Sequence, residues 1–185
     1  MSRTIAIAAT AAALVVPSAA FAATIKGTDA GEPLAGTPTA DTIIGKGGDD
    51  TITGLAGNDR LFGDRGNDTV DGDEGRDLAS GGRGDDTVNG DAGDDRVRGG
   101  RGKDKLDGGD GDDWIRAGSG EDTVTAGAGD DHVYTRDKSV DTVDCGAGTD
   151  TVIADRKDIL TGCENAKVRK GPKAKPEKKD HPKQP

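Results

Sequence analysis

The sequence has few of the residues that build an ordinary protein interior. Of its 185 residues only two are Phe, one Tyr and one Trp, and hydrophobic and charged residues make up 31% and 32%. This excludes a compact core of several packed layers, and composition alone places the chain near disordered proteins. The chain has two histidines, neither at a spacing suited to zinc. Beyond residue 22 no stretch is apolar enough to span a membrane.

The sequence is rich in glycine and aspartate, arranged with a strict period of nine. Residues 27–134 form consecutive nine-residue rows, with an acidic residue in the sixth column and an aliphatic one in the eighth. The sixth column reads Glu32, Asp41, Asp50, Asp59, Asp68, Asp77, Asp86, Asp95, Asp104, Asp113, Asp122 and Asp131. An unbroken register of this length predicts one small structural unit stacked on itself. This prediction replaces the disorder that composition alone would suggest.

Each row reads as a glycine-rich turn followed by a short strand. Glycine permits backbone conformations closed to other residues, whereas triplets such as Thr87-Val88-Asn89 favour a strand with its middle side chain inward. Residues 45–134 contain the rows that match the nine-residue pattern well. Residues 23–44 contain degenerate rows, which predict an amino-terminal cap. After an insertion at Thr135, residues 135–166 hold degenerate rows and a carboxy-terminal cap, for which 153–167 is expected to fold back.

The two ends of the chain differ from the repeats. Residues 1–22 read as a cleaved secretory signal, with Arg3, an apolar run and the Ala20-Phe21-Ala22 cleavage pattern, which predicts a secreted protein. Residues 167–185 are rich in Lys and Pro and are predicted to be disordered. Residues 23–165 carry 16 basic and 33 acidic side chains, a net charge of −17. This acidic body disfavours nucleic acid as a partner and favours cations.

Cys145 and Cys163 are the only cysteines. In an exported protein such a pair most often forms a disulfide, which we predict here. We find no nucleophile–histidine pair and no HExxH or phosphate-loop motif, so we expect no enzymatic activity. The aspartates are explained by the repeat without catalysis.

Rows such as Gly81–Asn89 resemble the glycine- and aspartate-rich nonapeptide of the haemolysin-type, or RTX, calcium-binding family. The resemblance implies an all-β parallel β-roll (a β-solenoid) in which two rows make one coil, giving about six to seven coils. It also implies several calcium ions in the turns, held by sixth-column aspartates two rows apart and by backbone carbonyls. Carried over, the carboxylate ligands are Asp41, Asp50, Asp59, Asp68, Asp77, Asp86, Asp95, Asp104, Asp113, Asp122 and Asp131. The carbonyl ligands come from turn glycines such as Gly48, Gly57, Gly66, Gly84, Gly93, Gly102, Gly111, Gly120 and Gly129.

Electrostatics supports a cation independently of the resemblance. Two carboxylates about 4.8 Å apart on neighbouring coils repel by roughly 3–4 kcal/mol at an effective dielectric near 20. Repeated along a ladder, this repulsion exceeds the stability of an ordinary domain, and calcium prefers several hard oxygen ligands. We therefore expect calcium binding and folding to be one event. The rows with Arg76 and Lys103 in the fifth column are weaker, and Glu32 is not expected to be a ligand.

Other functions stay open at this point. The rival is a structural or adhesive extracellular protein in which calcium only makes the roll rigid. Its outward face could bind a sugar through Trp114 and Tyr134, or these could be isolated surface aromatics. An ice-binding threonine column is a weaker alternative because Lys105 interrupts it. The basic tail could adsorb to anionic cell-wall polymer or simply aid solubility. The mature protein is expected to be a monomer.

Overall fold

The structure is a computed structural model that describes residues 3–6, by their backbone alone, and residues 21–168. Within these residues the chain forms parallel strands in two sheets and no helix. Numbered along the chain, the ten-stranded sheet contains β1 (Arg3–Ala6), β2 (Ala23–Lys26), β4 (Thr42–Gly47), β6 (Arg60–Arg65), β8 (Leu78–Arg83), β10 (Arg96–Arg101), β12 (Trp114–Ser119), β14 (His132–Tyr134), β16 (Thr151–Ala154) and β18 (Asn165–Val168). The eight-stranded sheet contains β3 (Pro33–Ala35), β5 (Thr51–Thr53), β7 (Thr69–Asp71), β9 (Thr87–Ala92), β11 (Lys105–Asp110), β13 (Thr123–Ala128), β15 (Thr142–Asp144) and β17 (Ile159–Thr161).

Strand pairing follows the period of two rows. Thr69 pairs with Thr51 and Thr87, each 18 residues away, so two rows form one coil. The offset becomes 19 where Thr123 pairs with Thr142, because one residue is inserted at Thr135. The predicted all-β parallel β-roll is confirmed. It has about eight turns, rather than six to seven, because the degenerate rows at both ends also stack.

The interior is built from three columns. The eighth-column aliphatic residues are buried, as are the sixth-column aspartates, and first-column glycines complete the inward set. The strands β8 to β13 span six residues, rather than the three predicted, because pairing continues through the first three columns of the next row. The core is therefore one aliphatic side chain wide, with carboxylates on both sides of it.

The ends of the roll follow from local sequence. Pro33 begins β3, which is the edge strand of its sheet, where no partner needs the missing amide. Residues 153–167 do not fold back: β17 and β18 each add a last parallel strand to one sheet. The predicted disulfide between Cys145 and Cys163 is present, with their Cα atoms 5.2 Å apart and a separation of 18 positions in sequence. It joins the last two coils.

Two sequence predictions concern chain outside the described residues. Residues 7–20 hold most of the predicted signal peptide, and residues 169–185 hold most of the predicted tail. Both stay predictions. The backbone of residues 3–6 pairs with β2, so cleavage after residue 22 would leave β2 as the edge strand. In the described part of the chain, no helix has the length and apolar character needed to span a bilayer.

Candidate calcium-binding edges

The sixth-column aspartates lie at the two edges of the roll, where the chain passes between the sheets. At the first edge the chain leaves the ten-stranded sheet, and at the second edge it returns to that sheet. The first edge contains Asp50, Asp68, Asp86, Asp104, Asp122 and Asp141, and the second contains Asp41, Asp59, Asp77, Asp95, Asp113, Asp131 and Asp150. All are between 0% and 3% exposed. The sixth column is therefore buried and does not form a solvated acidic face.

Each interior carboxylate uses one oxygen to hold its neighbour. The Oδ1 atom of Asp68 accepts a hydrogen bond from the backbone N–H of Asp50, one coil earlier, at 2.8 Å. The Oδ1 atom of Asp104 accepts in the same way from Asp86 at 3.0 Å. The second oxygen, Oδ2, is buried without a hydrogen-bond partner in Asp50, Asp59, Asp68, Asp77, Asp86, Asp95, Asp104, Asp113, Asp122, Asp131, Asp141 and Asp150. Buried polar atoms are rarely left unpaired in proteins, so this ladder of oxygens needs a proton or a cation.

The electrostatics of the ladder leads to the same conclusion. Burial raises the pKa of Asp59 from its ordinary value of 3.8 to about 7; the hydrogen bond from Asp41 opposes the rise, and the charge of Asp77 adds to it. Burial likewise raises the pKa of Asp86 to about 7, again opposed by a backbone hydrogen bond. In each case desolvation is the largest cause. At neutral pH the metal-free interior therefore resists the ionised state that a cation would stabilise.

The fourth-column glycines supply carbonyl oxygens beside the ladder. Gly84 has φ of +129° and Gly102 of +133°, a backbone conformation that L side chains rarely adopt. A Cβ on Gly84 would also meet the carbonyl oxygen of Gly66 in the preceding coil. Among the described residues, none of these glycine carbonyls accepts a backbone hydrogen bond in the turns. The predicted carbonyl ligands are thus present at both edges and unengaged.

This donor set suits a hard divalent cation. The described residues contain no cluster of three or more His, Cys, Asp or Glu side chains placed to hold a metal. A site here would combine carboxylates from neighbouring coils with glycine carbonyls, which are the oxygen donors calcium prefers. Zinc, which favours nitrogen and sulfur, would find no suitable ligands in this arrangement.

The comparison with known families agrees with this geometry. The family model described as RTX calcium-binding nonapeptide repeat (4 copies) matches residues 35–70, 71–106 and 107–137, which is more than half of the chain. The chain belongs to the RTX calcium-binding repeat family. No match was found among curated proteins. Proteins with these repeats are typically extracellular, and the disulfide indicates an oxidising compartment.

The carboxylates predicted from the sequence as RTX ligands differ in the hydrogen bonds that they accept. Asp41 differs from the others because both of its oxygens accept hydrogen bonds, Oδ1 from Ala23 at 2.5 Å and Oδ2 from Thr37 at 2.5 Å. Asp41 therefore holds the backbone at the amino-terminal end of the roll through these hydrogen bonds. Asp77, in a weakly matching row, keeps the common arrangement and has an unpaired Oδ2. Glu32 accepts a hydrogen bond from the backbone of Thr28.

Two aspartates that the sequence analysis left out of the ligand set belong to the same ladders. Asp141 and Asp150 are fully buried, and each has an unpaired Oδ2 atom. Their Oδ1 atoms accept from Asp122 and Asp131 at 2.9 Å. The signal was present in the sequence: both lie in the sixth column once the insertion at Thr135 is allowed for.

A second, exposed ladder in the fifth column was also missed. The side-chain oxygen of Asp85 accepts from the backbone N–H of Lys103, one coil later, at 2.7 Å, and Asn67 accepts from Asp85 at 2.8 Å. This direction is opposite to that of the sixth-column bonds. Arg76 and Lys103 carry no acceptor oxygen and interrupt the ladder. The fifth column therefore prefers Asp or Asn for a structural reason.

The two edges of the RTX roll differ in surface charge. In the rows of residues 45–134, the second, third and fifth columns around the first edge place five basic residues against four acidic ones: Lys46, Arg65, Arg83, Arg101 and Lys103 against Asp49, Asp64, Asp85 and Glu121. Around the second edge they place seven acidic residues against one basic one: Asp73, Glu74, Asp91, Asp94, Asp110, Asp112 and Asp130 against Arg76. Arg65, Arg83 and Arg101 are cross-strand neighbours on consecutive coils. The second edge thus offers a cation the more favourable surface potential.

Proposed function

We propose that this chain is a secreted calcium-binding protein whose RTX roll binds calcium along both edges, and that binding is coupled to folding. The carboxylate ligands are the twelve aspartates with an unpaired Oδ2 atom, and the fourth-column glycine carbonyls complete the shell. The observation that carries the proposal is the ladder of buried, unpaired oxygens. Calcium would neutralise neighbouring carboxylates and join one coil to the next. The chain's own residues position the oxygens through the Oδ1 hydrogen bonds.

Circular dichroism of the protein after residue 22, in chelator and then in millimolar calcium, tests the coupling. We expect a change from a disordered to a β-rich spectrum, with calcium but not magnesium effective at low millimolar concentration. A β-rich spectrum at neutral pH that chelator leaves unchanged would contradict coupled folding. Titration calorimetry then gives the number of ions bound.

A matched pair of variants tests the ligand assignment. Asp86→Asn removes an interior charge with an unpaired oxygen and is expected to lower calcium affinity. Asp85→Asn removes the adjacent surface charge but keeps the acceptor oxygen, and Asn already occupies this column at Asn58 and Asn67. It should leave binding nearly unchanged. Equal effects of the two substitutions would mean that net charge, not the interior ladder, governs binding.

A second candidate function is surface binding by a roll that calcium makes rigid. It is favoured by one observation: Trp114, the single tryptophan, is 58% exposed on the outward face of the ten-stranded sheet. Ice binding gains no such support. Its threonine column is interrupted at Lys105, and the parallel ninth column contains Asp71, Asn89 and Asp107.

A further inference from the structure

The outward seventh- and ninth-column positions of the ten-stranded sheet carry positive charge and no acid, and Asp94 and Asp112 border them beside Arg96 and Trp114. We define the basic face as the outward residues Arg60, Arg96, Arg98, Trp114, Arg116 and Tyr134. Between β4 and β16, the seventh- and ninth-column positions of this sheet include four arginines and no Asp or Glu. The corresponding positions on the eight-stranded sheet carry three aspartates and one lysine. The outward positions of this sheet are thus basic in a body whose net charge is −17.

The aromatic residues share this surface. Trp114 and Tyr134 are the only Trp and Tyr in the chain, and they lie on adjacent strands, 58% and 36% exposed. The guanidinium carbon of Arg116 lies 5.7 Å from the centre of the Tyr134 ring, a cation–π distance. Together with Arg98 and Ile153 they line a surface depression of about 400 Å³. Two aromatic planes thus stand beside two fixed cations.

We propose that the basic face binds an anionic polysaccharide, with Trp114 and Tyr134 stacking on sugar rings and Arg98 and Arg116 pairing with carboxylate or sulfate groups. Arginine suits this role because its planar fork binds such oxyanions with two hydrogen bonds. Cross-strand pairing sets Arg98 beside Arg116, and Arg116 beside Tyr134, on consecutive coils. The coils are about 4.8 Å apart, close to the length of one sugar ring in an extended chain.

This inference rests on the proposed calcium-dependent roll, because the face exists only when the coils are stacked. The single tryptophan makes the test direct, since its fluorescence reports on the face itself. The probe is dextran sulfate, and uncharged dextran is the control with the same sugar backbone. In saturating calcium, we expect dextran sulfate, but not dextran, to shift the emission and protect Trp114 from acrylamide quenching.

Variants locate the contact. Arg98→Gln and Arg116→Gln are each expected to weaken dextran sulfate binding by about tenfold, the loss of one charge-assisted pair. Lys105→Gln removes one positive charge from the opposite sheet and should change binding less than twofold. All variants are compared at equal β-rich circular dichroism in calcium. If Lys105→Gln and Arg116→Gln weaken binding equally, or if dextran binds as well as dextran sulfate, the proposal is wrong.

Two further outcomes distinguish this proposal from others. Protein that is β-rich in calcium but does not bind dextran sulfate overturns the basic face and leaves calcium binding intact. Binding that persists in chelator and still depends on Arg116 supports the face and contradicts calcium-coupled folding. A calcium-loaded dimer that Arg116→Gln dissociates, seen by sedimentation, would assign the face to a second copy of the chain and overturn the polysaccharide.

Discussion

Protons should replace calcium in the metal-free protein. Burial raises the pKa of the interior aspartates, to about 7 for Asp59, Asp95 and Asp113 and to about 6 for Asp50 and Asp104. A carboxyl group whose pKa is higher in the folded state than in the unfolded chain binds its proton more tightly when folded. Its stabilising contribution is complete below the unfolded pKa near 4 and is lost as the pH rises through about 7. Lowering the pH should therefore fold the metal-free roll.

The expected effect is large. A rise in pKa from 3.8 to about 7 corresponds to at most about 4 kcal/mol for one group, at about 1.4 kcal/mol per pKa unit. The contributions of neighbouring groups do not simply add, because ionising one carboxylate of a ladder raises the pKa of the next. Two or three such groups nevertheless match the entire stability of a small domain, about 5–15 kcal/mol. Metal-free protein should be largely unfolded at pH 8 and β-rich near pH 4.5.

The assay is a thermal melt followed by circular dichroism from pH 4 to pH 8, on protein freed of calcium by gel filtration because chelators weaken in acid. The melting temperature of the metal-free form should fall as the pH rises. That of the calcium-saturated form should rise over the same range, because calcium needs ionised ligands. Asp86→Asn should flatten the metal-free slope and raise stability at pH 8. Asp85→Asn should have a much smaller effect, because the charge of Asp85 is only a minor cause of the raised pKa of Asp86. A metal-free melting temperature that is constant or increases from pH 5 to pH 7 would refute the reasoning.

Three further predictions concern the backbone, the disulfide and the edges. Gly84→Ala should destabilise the calcium-loaded roll by at least about 2 kcal/mol in denaturant titrations, because φ is +129° and the added Cβ would meet the Gly66 carbonyl. The control is Gly47→Ala, which should be neutral because the atom nearest to its Cβ would be 3.5 Å away. Replacing both cysteines by serine should remove about 3 kcal/mol, with increased hydrogen exchange confined to the last two coils if the roll stays folded. Calcium titration should show two phases, the second edge filling first, and Arg83→Gln should strengthen the weaker phase while Arg98→Gln changes neither.

Much of the fold could be predicted because the nine-residue period determines which residues face the interior. The sixth, eighth and first columns become the interior, and the insertion at Thr135 appears as a single step in strand pairing. The sequence could not predict that Oδ1 of each aspartate accepts a backbone hydrogen bond while Oδ2 stays unpaired, because this depends on the direction of hydrogen bonds between coils. The different role of Asp41 was equally hidden, since Thr37 and Ala23 reach it only in the folded chain. The parallel course of residues 159–168 lacked any signal because that segment has lost the period.

The two acidic columns explain why the interior residue is aspartate and not asparagine. In the fifth column Asn58 and Asn67 replace Asp, because the ladder there needs only one acceptor oxygen. In the sixth column asparagine would offer the same acceptor to the neighbouring backbone, and it would avoid the penalty of a buried charge. Yet from Asp41 to Asp150 every row keeps aspartate. The hydrogen bond cannot account for this choice, whereas the unpaired Oδ2 atom can. Under the proposed function, the charge serves a cation that binds between the coils, and the penalty of burying that charge without the cation would make folding depend on it.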